Sequence, residues 1–106
     1  MARHDKLVRD LIPEQLAARG IRHEVRVLPH REYADALRAK MVEELAEYFW
    51  ASTGDERLAE LADILEVVNA LARLDGVTPA DLDRLRSAKA SRNGAFERRL
   101  LLIESD

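Results

Sequence analysis

Residues 40–66 read KMVEELAEYFWASTGDERLAELADILE, and this stretch decides the fold. Leading into its first half, Ala34, Leu37, Met41, Leu45 and Tyr48 recur at helical spacing on one face, which predicts a helix from about Arg31 to Ala51. From its second half onward, Leu61, Ile64, Leu65, Val68, Leu71 and Ala72 line a broad apolar face, which predicts a second helix running to about Asp75. Ser52-Thr53-Gly54-Asp55 between them is a turn, in which Gly54 can end one helix and Asp55 can cap the next. Two long helices joined by so short a link form an antiparallel hairpin.

The same hairpin sets the register of four acids. Glu44 and Glu47 are three apart and share a helix face; Glu60 and Asp63 do the same on the second helix. Folding the chain between Thr53 and Gly54 sets residue 47 opposite 60 and residue 44 opposite 63. At about 100° per residue, Glu60 falls between Ile64 and Val67, and Asp63 lies at the edge of that apolar arc. Glu44 and Glu47 lie at the shoulder of the Leu37–Met41–Leu45–Tyr48 stripe. Ionised acids crowded against a core repel one another and lose hydration. A hard divalent cation relieves both costs, and an all-oxygen ligand set suits Mg²⁺ or Mn²⁺. The competing explanations are a solvated acidic face, salt bridges to Lys40, Arg57 or Arg73, and a shared carboxyl proton.

Outward from the hairpin, Gly and Pro punctuate the chain. Pro13 opens a short helix that Gly20 ends after Arg19. Ile21 to Leu28, with Val25 and Val27, reads as a strand closed by Pro29. Gly76 ends the second long helix. Thr78-Pro79-Ala80-Asp81 has the form of a capping box with proline in the first turn, and a helix to about Arg92 follows. Asn93-Gly94 is a turn, and Arg98 to Ile103 reads as a last strand. The expected fold is mainly α: one domain over residues 1–106, an antiparallel helical bundle with two short β-strands near the termini.

Composition narrows the function. A chain of 106 residues with a 47% hydrophobic share suits one globular domain with a modest core, which favours cover by a partner chain. The absence of cysteine excludes disulfides, iron–sulfur clusters and thiolate zinc sites. The first residues carry no apolar signal core and no run is long enough to span a bilayer, so no membrane association and a cytoplasmic location are expected. A net charge of −3 argues against specific nucleic-acid binding. His4, His23 and His30 show no ligand spacing, Ser87 and Ser91 have no adjacent base, and there is no glycine-rich phosphate loop.

Among the cations, Lys40 precedes Glu44 by one turn, as an ion-pair partner or as a phosphate contact. Lys89 and Arg92 extend the stripe of Leu82 and Leu85, which is expected to look inward, and near the helix end they also favour the dipole. Lys6 and Arg9 flank Leu7-Val8.

Lys40-Met-Val-Glu43-Glu44-Leu-Ala-Glu47, followed by Glu60-Leu-Ala-Asp63-Ile-Leu-Glu66, resembles the MazG-like all-α nucleoside triphosphate pyrophosphohydrolases, with their E-x-x-E, spacer, E-x-x-D hallmark. Lys6-Leu-Val-Arg9-Asp10-Leu-Ile-Pro13 and Asn93-Gly94-Ala95-Phe96-Glu97-Arg98-Arg99 resemble a compact phosphoribosyl-ATP pyrophosphohydrolase-like branch, so the likeness covers nearly the whole chain. That branch commonly reads Arg-Gly-Gly-Phe near its end; here Arg92 stands one place early. The resemblance implies that Glu44, Glu47, Glu60 and Asp63 are the catalytic Mg²⁺ ligands. It makes Lys6, Arg9, Lys40, Lys89 and Arg92 candidate phosphate contacts. It implies hydrolysis of a nucleoside triphosphate, or a related nucleotide, at the α–β linkage to monophosphate and pyrophosphate, in nucleotide-pool house-cleaning, by a homodimer or tetramer. A phosphoribosyl nucleotide as substrate, and a non-catalytic regulatory dimer that keeps the fold, are the alternatives.

Overall fold

The computed structural model describes residues 2–106 and contains four helices: α1 (Ile12–Ala18), α2 (His30–Trp50), α3 (Gly54–Leu74) and α4 (Pro79–Asn93). The architecture is a helical bundle built on the α2–α3 hairpin. α4 lies against α3, and α1 packs against no other helix.

The helix ends follow from local chemistry. Gly20 and Gly76 adopt φ of 68° and 79°, a region that costs other residues strain. Each closes a Schellman motif: Ile21 N–H donates to the Leu16 carbonyl and Gly20 N–H to that of Ala17, and Val77 and Gly76 do the same to Ala72 and Arg73. At α4 the capping box is formed. The Asp81 N–H donates to the Thr78 hydroxyl at 3.1 Å, and the Thr78 N–H donates to the Asp81 carboxylate at 3.3 Å.

The hairpin turn differs from the sequence expectation by one or two residues. Thr53, not Asp55, caps α3: its hydroxyl accepts from the Glu56 N–H at 3.1 Å, while the Glu56 carboxylate accepts from the Ser52 N–H at 2.9 Å. Gly54 is therefore the first residue of α3, and α2 ends at Ala51 in extended backbone without a glycine. A threonine hydroxyl followed three residues later by a glutamate satisfies more free N–H groups than an aspartate two residues further in.

The two expected strands do not form. Neither Ile21 to Leu28 nor Arg98 to Ile103 is paired in a ladder among the described residues. β-propensity reports how well a side chain suits a pleated, half-buried surface, and no such surface is offered here. Val27 is 96% exposed, and Leu100 to Ile103 all face solvent.

Burial is sparse. Among the described residues only Leu37, Val67 and Glu44 are buried, all where α2 and α3 meet. The chain exposes 9507 Å², against about 6,000 Å² for a compact monomer of its mass. Its radius of gyration is 17.9 Å, against about 13 Å expected for its length. No helix is long and apolar enough to cross a membrane.

Candidate metal centre

The hairpin brings three of the four acids together. Glu44 and Glu47 on α2 and Glu60 on α3 each offer a carboxylate oxygen, and these oxygens lie within 4.8 Å of one another. Packing at the α2–α3 seam forces this approach, because the face that carries Leu37 also carries Glu44, and the face that carries Val67 also carries Glu60. Glu44 is only 5% exposed, Glu60 is half-buried and Glu47 is exposed. The Oε2 atoms of Glu44 and Glu60 are shielded from solvent and have no hydrogen-bond partner.

Such an arrangement is electrostatically costly without a counter-charge. Two ionised carboxylates offer acceptors only, so they bond each other only if one carries a proton. Accordingly the Glu60 carboxyl is pushed up to about 7, first by the Glu44 carboxylate within hydrogen-bonding reach, then by burial, then by Glu47. The donors are all hard oxygens, two of them orphaned and buried, and that set fits Mg²⁺ or Mn²⁺.

Asp63 is not in this trio. Its Oδ1 accepts a 2.6 Å hydrogen bond from the Arg9 guanidinium. Lys40 extends its ammonium to Glu44 Oε1 at 3.3 Å and to Glu43 Oε2 at 3.4 Å. Burial works against the Lys40 charge, but Glu44 and Glu43 outweigh it and hold its pKa above the ordinary lysine value. Lys6 reaches Glu43 Oε1 at 3.5 Å.

Thus Lys6, Arg9 and Lys40 stand beside the acids. Lys89 and Arg92 are exposed on α4 and pair with none of them, and Leu85, in the stripe they extend, is itself 58% exposed. Of the face expected to look inward, Leu82 is half-buried, and the part from Leu85 to Arg92 is open to solvent within this chain. Sequence reasoning gave Glu43 no role, yet it bridges Lys6 and Lys40; its spacing of three from Lys40 was the available signal. An open cleft of about 340 Å³ adjoins the trio, lined by Glu47, Trp50, Ala51, Glu56, Ala59 and Glu60.

The model of the family described as phosphoribosyl-ATP pyrophosphohydrolase matches residues 13–89. The chain belongs to that family. It is therefore placed among the pyrophosphohydrolases, which cleave phosphoanhydride bonds. The matched span holds all four acids, Lys40 and Lys89; Lys6, Arg9 and Arg92 lie outside it. No curated protein and no solved structure matches the chain.

Proposed function

We propose that this pyrophosphohydrolase is Mg²⁺-dependent and cleaves the α–β linkage of a nucleotide bearing a triphosphate, releasing monophosphate and pyrophosphate. The observation that carries this reading is the trio of carboxylates whose oxygens approach within 4.8 Å of one another, together with the buried and unpartnered Oε2 atoms of Glu44 and Glu60. The family description favours a phosphoribosyl nucleotide over an ordinary nucleoside triphosphate taken in pool house-cleaning.

Glu44, Glu47, Glu60 and Asp63 would hold the cation. When bound, Mg²⁺ or Mn²⁺ offsets charge on the phosphate oxygens and lowers the pKa of a coordinated water. A cluster carboxylate accepts the proton of the attacking water as its oxygen bonds to phosphorus and the α–β anhydride bond breaks. Lys6, Arg9 and Lys40 stabilise the charge that grows on the phosphate oxygens. Lys89 and Arg92 join them only if α4, from this chain or a neighbour, closes over the site.

A neighbour is part of the proposal. The excess of about 3,500 Å² over a compact monomer exceeds the roughly 1,000–2,500 Å² that each partner gives to a large obligate interface. A dimer would cover much of it, and a tetramer, in which each chain meets more than one neighbour, would cover the rest.

The test incubates the pure protein with phosphoribosyl-ATP and a panel of nucleoside triphosphates, with Mg²⁺ or with chelator, and separates the products. Pyrophosphate released only with Mg²⁺ is expected. Release of orthophosphate alone would refute the α–β assignment, and full activity in chelator would refute the metal. No turnover of any substrate would favour the non-catalytic dimer.

A further inference from the structure

Asp63 is the odd member of the acid set. It sits one turn beyond Glu60 on α3, in register with Glu44, yet its Oδ1 pairs with Arg9 and it stays outside the trio. Arg9 lies 54 positions away, in the segment before α1. A second ion pair, Lys6 to Glu43, ties the same segment to α2. Little else anchors this strap: α1 rests on no other helix, and from Asp5 to Asp10 only Leu7 is half-buried. The Arg9 and Asp63 side chains are 58% and 39% exposed, so their pair is weak enough to exchange.

We infer that Arg9 is a positioning latch: it holds Asp63 away from the three-glutamate cluster in the metal-free protein, and yields it when a divalent cation binds, which frees the guanidinium for the triphosphate. The inference rests on the metal reading above. Two cations compete for one carboxylate, so the ion pair opposes metal binding when no substrate is present. With substrate, the released fork finds phosphate oxygens, whose geometry it matches bidentately. Metal and substrate thereby assist each other through one side chain.

The latch gives Arg9→Gln two effects of opposite sign. Mn²⁺ alone, measured by calorimetry without nucleotide, should bind about two- to fivefold more tightly, as the loss of an exposed ion pair implies. KM for the triphosphate substrate should rise roughly tenfold or more, as for loss of a charged hydrogen bond. Arg9→Lys, which keeps the charge but not the fork, should fall between wild type and Arg9→Gln in both readouts. In an Asp63→Asn background the gain in Mn²⁺ affinity should vanish. A gain that survives Asp63→Asn would reduce Arg9 to a general field effect and overturn the latch. Unchanged or weaker Mn²⁺ binding by Arg9→Gln, with wild type binding normally, would overturn the latch and leave the metal reading standing. Failure of wild type and every variant to bind Mn²⁺ would remove both.

Discussion

Leu65 stands on the outward face of α3, 58% exposed, and aligns with Leu58 and Leu61 at helical spacing. Val42, Leu45 and Phe49 form the matching stripe on α2. On each helix this stripe lies about 160° from the acids at 100° per residue, so it faces away from the seam that holds the site. If a second copy covers α3, the exposed parts of its three leucines amount to nearly two whole side chains. Covering them contributes about 3–5 kcal/mol per chain.

Leu65→Glu removes about a third of that gain and sets an unpaired carboxylate in a dry interface, a further cost of several kcal/mol. In a symmetric dimer each loss counts twice. The expected outcome is conversion to monomer at concentrations where the wild type is assembled, read by light scattering on a sizing column. Urea unfolding gives a second reading. The wild-type midpoint should rise with protein concentration, and that of Leu65→Glu should be lower and independent of it. In a monomer, a substitution at this exposed site shifts stability by only about 0.5 kcal/mol. A wild-type mass of 12.0 kDa at every concentration, with an unchanged midpoint for Leu65→Glu, would refute the reasoning.

Three further outcomes are expected. Glu60 binds its proton more tightly in the folded chain than in the unfolded one, with its folded pKa at about 7 against an ordinary 4.5. Its contribution to stability is therefore present below pH 4.5 and lost as pH rises towards 7, so the metal-free protein should melt higher at pH 5.5 than at pH 7.5; Glu60→Gln should flatten that slope, and an unaltered slope would count against the assignment. Thr78→Ala breaks the capping box of α4 and should cost about 1 kcal/mol in urea unfolding, while Thr78→Ser should cost little. Leu37→Ala, at a side chain only 2% exposed in the α2–α3 seam, should cost about 2–5 kcal/mol and lower the melting temperature more than any truncation on the outer stripes.

Where the chain's local chemistry decides, the sequence was readable. Gly20 and Gly76 end α1 and α3 because a left-handed residue closes the final turn, and that need is visible in the residue type. Thr78-Pro79 and Asp81 form their box as written. The turn at Thr53–Gly54 sets the register that brings Glu60 to Glu44 and Glu47. Two things were not readable. The Arg9–Asp63 pair joins positions 54 apart, and no local periodicity reports such a contact. The strands at Ile21 to Leu28 and Arg98 to Ile103 were inferred from alternation and β-branching, but a strand exists only with a partner. For the same reason an apolar stripe states that it wants cover without saying which chain supplies it: Leu85 looked inward by spacing and is open to solvent in this chain.

The charge at the seam argues for a cation more strongly than the spacing of the acids alone. Lys40 neutralises about one of the charges of Glu44, Glu47 and Glu60, and the raised proton affinity of Glu60 offsets part of another. At least one negative charge remains uncompensated among three carboxylates whose oxygens approach within 4.8 Å, and the Oε2 atoms of Glu44 and Glu60 are shielded from solvent. A proton alone leaves this imbalance, and Arg9 is engaged with Asp63. A dication would supply the missing charge and give the buried Oε2 atoms a partner. In the proposed latch, Asp63 would then join the ligand set and release Arg9 for the negative charge of a triphosphate. On the proposed reading, the cation compensates the acids of the hairpin, and the released Arg9 meets part of the charge that a triphosphate brings.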